Sequence, residues 1–390
     1  MKMTTATSSA TQPQARTGLR GVVVGDTKIS NVDGERGVLI YRGIDIHDLA
    51  YNSTFEEVAY LLWFQALPSP ANLEAFRSEL AKRRALPDPL LRILREIPAT
   101  ATPMDVLRTA ISAMALFDPA AKDISNEANL EKSKRLTAVF PSIIAAFYRL
   151  SEGHEPIPPR NDLSTAANFL YMFTGKEPDP QAARLLDAAL VLHADHGMNA
   201  STFASIVTAA TLADLYSAVT SAIATLKGPL HGGANEGVIT NLIEIGSMDK
   251  IEPWVAQKLA KHEKIMGFGH AVYKTNDPRA IDLKKIAKQA GERAGATKWV
   301  EMTERMERAV WDQRKLYANV DLYSASVYYT LGIPPQYFTP VFAMSRIAGW
   351  CAHLIEQYAN NKLIRPGENY VGPRGVKYVP LAERAADVPV

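Results

Sequence analysis

Cys351 is the only cysteine among 390 residues. One thiol excludes an intramolecular disulfide and a cysteine-based zinc site. A chain without disulfides suits the cytoplasm. An excess of either charge is also missing: 43 Lys+Arg face 41 Asp+Glu, a formal net charge of +2. That balance gives no overall electrostatic reason to expect nucleic acid or a membrane surface as a partner, although local basic clusters can still hold a small anion. There is no repeat of fixed period, which argues against a solenoid. Walker and GxSxG sequences are absent, and His262-Glu263 is followed by Lys-Ile-Met266, so the HExxH zinc motif fails at its last position. In the most apolar run, residues 201–226, only Asp214 is charged. Its Ser, Thr and Ala content and its central acid predict a buried helix rather than a membrane span. Residues 1–16 hold two basic residues, no acid and no apolar run, and read as a frayed polar tail rather than a secretory signal.

What is present is ordinary globular material, 47% hydrophobic and 22% charged, which excludes a mostly disordered chain. The length exceeds what one core of roughly 250–300 residues usually supports, so two domains are expected. Residues 18–46 alternate β-branched runs with Gly and Asp-Gly signals and predict two or three short strands joined by tight turns. Helical periodicity dominates afterwards. Ser53 and Glu56 have capping-box spacing. Pro70 and Pro103 open helices running to about Arg84 and Leu116. Residues 127–150 predict a long helix that Pro141 kinks or splits. Further helices are expected from Pro180 to His193, Pro278 to Glu292, 302 to 316 and 340 to 358. The fold class is therefore all-α with minor N-terminal strands. Residues 232–320 are more charged than the apolar helices flanking them, which suggests a smaller lobe inserted in a larger helical body.

Five of the eight histidines fall between 193 and 270. An isolated histidine is more often a surface or hydrogen-bonded residue than a functional one, so the surroundings decide. His193-Ala-Asp-His196 puts two imidazoles on one face if the helix continues. A metal reading with Asp195 as third ligand has no matching ligand pair elsewhere. His231 sits in KGPLHGGANE, where Gly232 and Gly233 at a helix start offer N–H groups to developing negative charge. A helix N-terminus also favours a neutral histidine that donates a hydrogen bond. The alternative is a plain Gly-rich turn. His270 sits in GFGHAVYK, followed by Asp277-Pro-Arg279, where a guanidinium in the first turn could grip a carboxylate through two N–H groups. Asp321, in NVDLYS, is either a helix N-cap or a general base. Arg346 is a cation in an apolar helix and needs an anionic partner. Arg365 is unremarkable alone.

GPLHGGANE, GFGHAVYKTNDPR, NVDLYSA and the Ser-Arg pair of AMSRIAG, in this order, resemble the citrate synthases, specifically the shorter bacterial and archaeal form. HADHGMNASTF and YRGIDI strengthen the resemblance, which runs from about Leu19 to Pro380. Ala318 departs from it, since the family often has Pro there. The resemblance implies a two-domain helical fold, with residues 1–231 and 327–390 as large domain and 232–326 as small domain closing over substrate. It implies a cytoplasmic homodimer of the tricarboxylic acid cycle, each active site completed by the partner chain, with no nucleic acid, no membrane and no NADH site. The reaction it implies condenses acetyl-CoA with oxaloacetate and hydrolyses the thioester to citrate and CoA. The runner-up is 2-methylcitrate synthase, using propionyl-CoA. A helical scaffold or metal-binding protein without catalysis is a third reading.

Enolate formation beside a thioester needs a base and an opposing hydrogen-bond donor. Asp321 matches the base, His231 the donor to the enolate and His270 the donor to the oxaloacetate ketone. By resemblance His196, Arg279, Arg346 and Arg365, the last from the other subunit, bind oxaloacetate. Lys264, Ile265, Met266, Gly267 and Phe268 cradle the adenine end of CoA, with Arg314 and Lys315 as weaker candidates for its phosphates. His193 matches no substrate contact and is read as structural. No metal and no cofactor are expected, CoA being substrate and product.

Overall fold

The computed structural model describes residues 17–19 and 21–384; the polar N-terminal tail lies outside them. Residues 27–363 form one compact unit, and the chain ends, up to Asp26 and from Ile364, form another. Among its described residues the terminal unit carries two short 3-10 turns, Thr17–Leu19 and Leu381–Glu383, and no other helix or strand.

The main unit begins with a small antiparallel sheet of β1 (Ser30–Asp33), β2 (Val38–Tyr41) and β3 (Ile44–Asp45) in the order β1-β2-β3. Ser30 pairs with Tyr41 and Asp33 with Val38, which leaves residues 34–37 as the hairpin turn. Asp33 closes that turn by accepting the N–H groups of Glu35 (3.1 Å) and Arg36 (3.0 Å). Leu39 and Tyr41 alternate inward and are fully buried, as the two-residue period of a half-buried strand requires.

Sixteen α-helices follow among the described residues. The first are α1 (Ile46–Asn52), α2 (Phe55–Phe64), α3 (Pro70–Ala81), α4 (Asp88–Glu96) and α5 (Pro103–Met114). Next come α6 (Asn126–Ser151), α7 (Thr165–Thr174), α8 (Pro180–His193), α9 (Ala200–Ala209) and α10 (Leu215–Leu226). The last six are α11 (Ala234–Ile245), α12 (Ile251–Ala260), α13 (Pro278–Ala294), α14 (Lys298–Arg314), α15 (Val320–Thr330) and α16 (Phe338–Ala359). Where Pro was read as the first residue of a helix, at 70, 103, 180 and 278, it is.

Three local expectations are corrected. The capping box uses Thr54 and Glu57, one residue later than expected, because the Ser53 hydroxyl donates to the Leu49 carbonyl (2.6 Å). Of the two outcomes expected at Pro141, a split is overturned: helix α6 runs through it as one element, and its neighbours Phe140, Ile143 and Ile144 are buried, so tertiary packing outweighs the lost hydrogen bond. The apolar run 201–226 is two helices. Leu212 takes the left-handed conformation (φ 65°), and Asp214 caps α10 by accepting the Ser217 N–H at 3.0 Å. No described helix is long and apolar enough to cross a membrane.

Helix α16 is the axis of the core, packing on α6, α9, α10, α2 and α8, with Trp350 fully buried. Helix α13 packs on α15, α8 and α1. Apart from Arg346, in the interior of α16, the candidate residues lie at helix ends and in the connections between helices.

Candidate active site

Helix α8 ends at His193, so His193 and His196 do not share a helical face. The His193 ring is fully buried, edge-on to Phe342 at 4.8 Å, with Nδ1 bonded to the Ala189 carbonyl (2.7 Å). Burial pushes its pKa down to about 3, which fits a structural role. Asp195 is held too completely to serve as a metal ligand. Its carboxylate accepts from the Ser30 hydroxyl, from the Gly197 N–H (3.0 Å) and faces His353 Nε2 at 3.1 Å. The Tyr41 hydroxyl donates to the Asp195 carbonyl (2.8 Å) and accepts its N–H (3.0 Å). Burial alone would raise the Asp195 pKa, but His353, Arg346 and Ser30 together hold it down to about 2. This anchored turn presents His196.

His231 precedes α11, whose N-cap is Gly233. The Gly232 N–H is not free for developing charge as expected, because it donates to the Leu226 carbonyl (2.9 Å) and completes the end of α10. The imidazole is instead fixed by Ser201 at the start of α9. His231 Nε2 lies 3.3 Å from the Ser201 N–H and 2.9 Å from its Oγ, which also accepts from Trp350 Nε1 (3.1 Å). A backbone N–H can only donate, so Nε2 is an acceptor and the ring proton sits on Nδ1. Burial, aided by Arg346, pushes the His231 pKa down to about 4, so the ring is neutral at pH 7.

His270 rides on a loop tied to the segment before α15. Gly269 N donates to the Tyr317 carbonyl, Asn319 N to the Gly267 carbonyl (both 2.9 Å), and Asn319 Nδ2 to the Gly269 carbonyl (3.0 Å). Gly267 (φ 89°) and Gly269 (φ 76°) are left-handed, the conformation only glycine adopts without strain. His270 Nδ1 accepts two backbone N–H groups, Val272 (3.0 Å) and Tyr273 (3.1 Å), so the proton sits on Nε2. Its ring centroid lies 5.2 Å from that of His196 at nearly a right angle, and the Tyr273 hydroxyl is 3.2 Å from His196 Nε2. Burial and then Arg279 push His270 down to about 4 and His196 well below its ordinary value.

The two buried arginines differ. Arg279 grips Asp277 through Nε (3.0 Å) and Nη2 (2.8 Å), so the carboxylate in its fork is the helix's own cap. Three of its five N–H donors remain for another ligand. Arg346 forms no salt bridge among the described residues. Its Nε donates to the His193 carbonyl (2.7 Å), its guanidinium lies 4.7 Å from the Phe342 ring centre, and Nη2 is buried without a partner. Burial lowers its pKa to about 10, so it keeps its charge at pH 7. A buried cation in this state is a receptor for an anion.

Asp321 lies in the first turn of α15 but is not its cap; Asn319 is, accepting the Asp321 N–H at 3.0 Å. The Asp321 side chain is buried and Oδ1 has no partner. Burial pushes its pKa up to about 7, against the opposing pull of Arg279 and Arg346. Asp321 thus shares its electrostatic surroundings with His196, which also feels Arg279, Arg346, His270 and His231. The structure therefore gathers the buried His196, Arg279, Arg346 and Asp321 and the half-buried His231 and His270 in one cluster. Two surface cavities, of about 410 and 300 Å³, are lined by none of them.

Among the expected CoA contacts, Ile265 and Gly267 are buried and Lys264 is exposed. Phe268 bridges to Ala318, the position that departs from the family habit. Arg314 ends α14, with Nη2 3.4 Å from the Leu259 carbonyl, and Lys315 caps it with Nζ 5.2 Å from the Trp311 ring centre. Arg365 is exposed and belongs to the terminal unit. Sequence reasoning missed Ser201, Tyr273 and Asn319. All three lie inside the motifs already singled out, but nothing local marks which neutral residue of a motif orients its histidine. Among the described residues no group of three or more His, Cys, Asp or Glu is placed to hold a metal ion.

A family model described as citrate synthase, C-terminal domain, matches residues 18–367. The chain is 49% identical over 372 residues to citrate synthase 2 of Bacillus subtilis (strain 168), covering 95% of this chain and 100% of that one. It is 41% identical over 368 residues to 2-methylcitrate synthase of Shewanella oneidensis, covering 94% and 97%. Among solved structures it matches the ternary complex of carboxymethyl coenzyme A and oxaloacetate with the citrate synthase of Thermoplasma acidophilum. That match has a TM-score of 0.89 and 33% identity, and covers 94% of this chain and 98% of the other.

Proposed function

The chain belongs to the citrate synthase family and is an enzyme that condenses acetyl-CoA with oxaloacetate and hydrolyses the citryl thioester, and we propose that the cluster around Asp321 carries this reaction. Asp321 takes a proton from the acetyl methyl group. His231 donates its Nδ1–H to the thioester oxygen as the enolate forms. His270 donates Nε2–H to the oxaloacetate ketone, which the enolate carbon attacks. Water then cleaves the thioester of the product, releasing citrate and the CoA thiol. The observation that carries this reading is the partnerless Asp321 Oδ1, whose carboxyl titrates near 7 beside histidines held neutral. A base with a pKa near the working pH is the efficient one. Neutral donors of fixed tautomer stabilise developing negative charge without first losing a proton.

Arg346, Arg279 and His196 hold the oxaloacetate carboxylates, and the unpartnered Arg346 Nη2 supports that assignment. Arg365 of the partner subunit completes the site in a cytoplasmic homodimer serving the tricarboxylic acid cycle. The loop Lys264–Phe268 receives the adenine end of CoA, with Arg314 and Lys315 near its phosphates. Residues 232–326 move as the small domain against 1–231 and 327–390. Mutual packing of α11, α12, α13, α14 and α15 supports that division. Closure would exclude water before the condensation. The test is CoA-thiol release with oxaloacetate, comparing kcat/KM for acetyl-CoA and propionyl-CoA. Acetyl preference is expected. Propionyl preference would make 2-methylcitrate the product, and no release with either would end the catalytic reading.

A further inference from the structure

The N-terminal hairpin touches the candidate site at two places. At one end of its strands, Ser30 and Tyr41 hold Asp195 next to His196. At the other end, the turn of residues 34–37 lies against the loop that carries His270. The Gly34 carbonyl accepts the Lys274 N–H at 2.9 Å, and the Lys274 ammonium pairs with Glu35. A Cβ on Gly34 would lie 2.2 Å from the Val272 carbonyl oxygen and 2.7 Å from its carbon. A Cβ on Gly37, which is left-handed (φ 67°), would lie 2.8 Å from the Asn276 carbonyl oxygen. Both hairpin glycines are therefore seats for backbone carbonyls of one loop.

The Val272 carbonyl is half of a peptide group whose other half is the Tyr273 N–H. That N–H donates to His270 Nδ1 at 3.1 Å. The described residues contain no cis peptide bond, and in a trans peptide the C=O and N–H point in opposite directions. The Val272–Tyr273 peptide thus lies between Gly34 and the imidazole, its oxygen against the glycine and its hydrogen on the ring. We propose that Gly34 is a positioning residue: by leaving room for the Val272 carbonyl it holds the peptide that supplies one of the two N–H groups, beside that of Val272, keeping the His270 proton on Nε2. Any side chain at 34 must push that peptide aside, because the atom it meets is backbone and cannot rotate away independently. The peptide is then driven toward the ring and tilted, so that the Tyr273 N–H no longer lines up with Nδ1, which keeps only the Val272 N–H (3.0 Å) and takes a proton more readily.

The importance of this seat for turnover rests on the reading of His270 as the ketone donor. The test is ¹⁵N-histidine labelling of the full chain, which reads the protonation of each imidazole nitrogen directly. In the unaltered protein between pH 6 and 8, His270 is expected to show an unprotonated, hydrogen-bonded Nδ1 and a protonated Nε2. In Gly34→Ala the two tautomers should mix, and the ring should gain its second proton at higher pH. The charged and titratable groups around it, Arg279, Asp277, His196 and Tyr273, are unchanged in that variant. Turnover should fall roughly 10–100-fold, the scale of an ångström's misplacement, with oxaloacetate affinity changed only a few-fold. Glu35→Ala, in the same turn but off the peptide, should keep the native tautomer. An unchanged His270 spectrum in folded Gly34→Ala would overturn the proposal. If that variant does not fold, a Nδ1-protonated His270 in the unaltered protein would overturn it equally. A shifted tautomer with full turnover would uphold the seat and instead remove His270 from the chemistry.

Discussion

Asp195 and Asp321 are both buried carboxylates, 0% and 8% exposed, and they lie in adjoining parts of one cluster. Their pKa values are nonetheless driven in opposite directions, to about 2 and about 7. Burial raises both. What separates them is partners. Asp195 has a hydroxyl, a backbone N–H and an imidazole on its oxygens, while Asp321 Oδ1 has nothing. The first arrangement fixes a turn and leaves the carboxylate no capacity for chemistry. The second keeps a carboxylate whose proton is easily exchanged at neutral pH, at the cost of leaving a buried acceptor unmet. Hydrogen bonds are thus concentrated on the turn that holds His196 and absent from the carboxylate that, in the proposed mechanism, moves a proton.

The sharpest way to break this contrast is to remove each carboxylate in turn. Asp321→Gly is expected to lower kcat by about 10²–10⁴-fold, the range of a lost general base, and to leave oxaloacetate binding nearly intact. Thiol release and titration calorimetry measure the two; an equal loss in both would show Asp321 to be a binding residue. Asp195→Ala should act on the fold first. It leaves His353 and the Ser30 and Tyr41 hydroxyls without their buried partner or its support, so unfolding free energy at pH 7 should drop by about 3–5 kcal/mol. The sign of its pH dependence follows from the depressed pKa. The Asp195 contribution is complete above the ordinary carboxylate range near 4 and is lost as pH falls toward 2. Denaturant midpoints for the native protein and the variant should therefore converge in acid, and parallel curves would show that the His353 pair does not stabilise the fold.

Sequence patterns marked the four Pro-led helix starts and singled out the candidate residues, and the reasons are physical. Pro at a first helical position, with Ser69, Thr102, Asp179 or Asp277 before it, acts on adjacent backbone, so Pro70, Pro103, Pro180 and Pro278 announce their helices locally. Asp214 has two local meanings, an acid inside one helix or the cap of a second, and only the backbone reversal at Leu212 decides. In the site, His231, His270 and Asp321 stood out because glycines and helix starts surround them. Their tautomers did not, because the groups that set them are backbone N–H donors of Ser201, Val272 and Tyr273. The support beneath His196 was invisible for another reason. Ser30 lies 165 residues from Asp195 in sequence, Tyr41 154 and His353 158, and no periodicity links such distances.

A smaller effect tests the burial half of the contrast. Asp321 has a raised native pKa, so between the unfolded value near 4 and about 7 the native state keeps a proton that the unfolded state has lost. Stability contributed at this site therefore falls as pH rises through that window. Asp321→Asn, neutral throughout, escapes the loss and should become more stable than the native protein by up to about 4 kcal/mol at pH 8, with the gap closing toward pH 4. Urea unfolding at pH 5, 6, 7 and 8 reads it. A gap that does not grow with pH would mean that Asp321 is ionised without penalty and that its isolation is unimportant.

The smallest effect is in the rate itself. At low oxaloacetate, kcat/KM reports the protonation of the free enzyme. The base must be ionised to act, so this constant should fall about tenfold for each pH unit below about 7. His231 and His270, both near 4, stay neutral through that range and add no further slope until pH approaches 4. Asp195, near 2, stays ionised throughout and adds none. The expected profile is a single-proton limb centred near pH 7, and in Asp321→Asn any residual activity should lose that limb. A two-proton slope would place a histidine in the same titration and undo the assignment of neutral donors. A limb near pH 4 with full activity at pH 6 would mean that Asp321 finds a partner when substrate binds, and the two aspartates would then differ less than their free surroundings suggest.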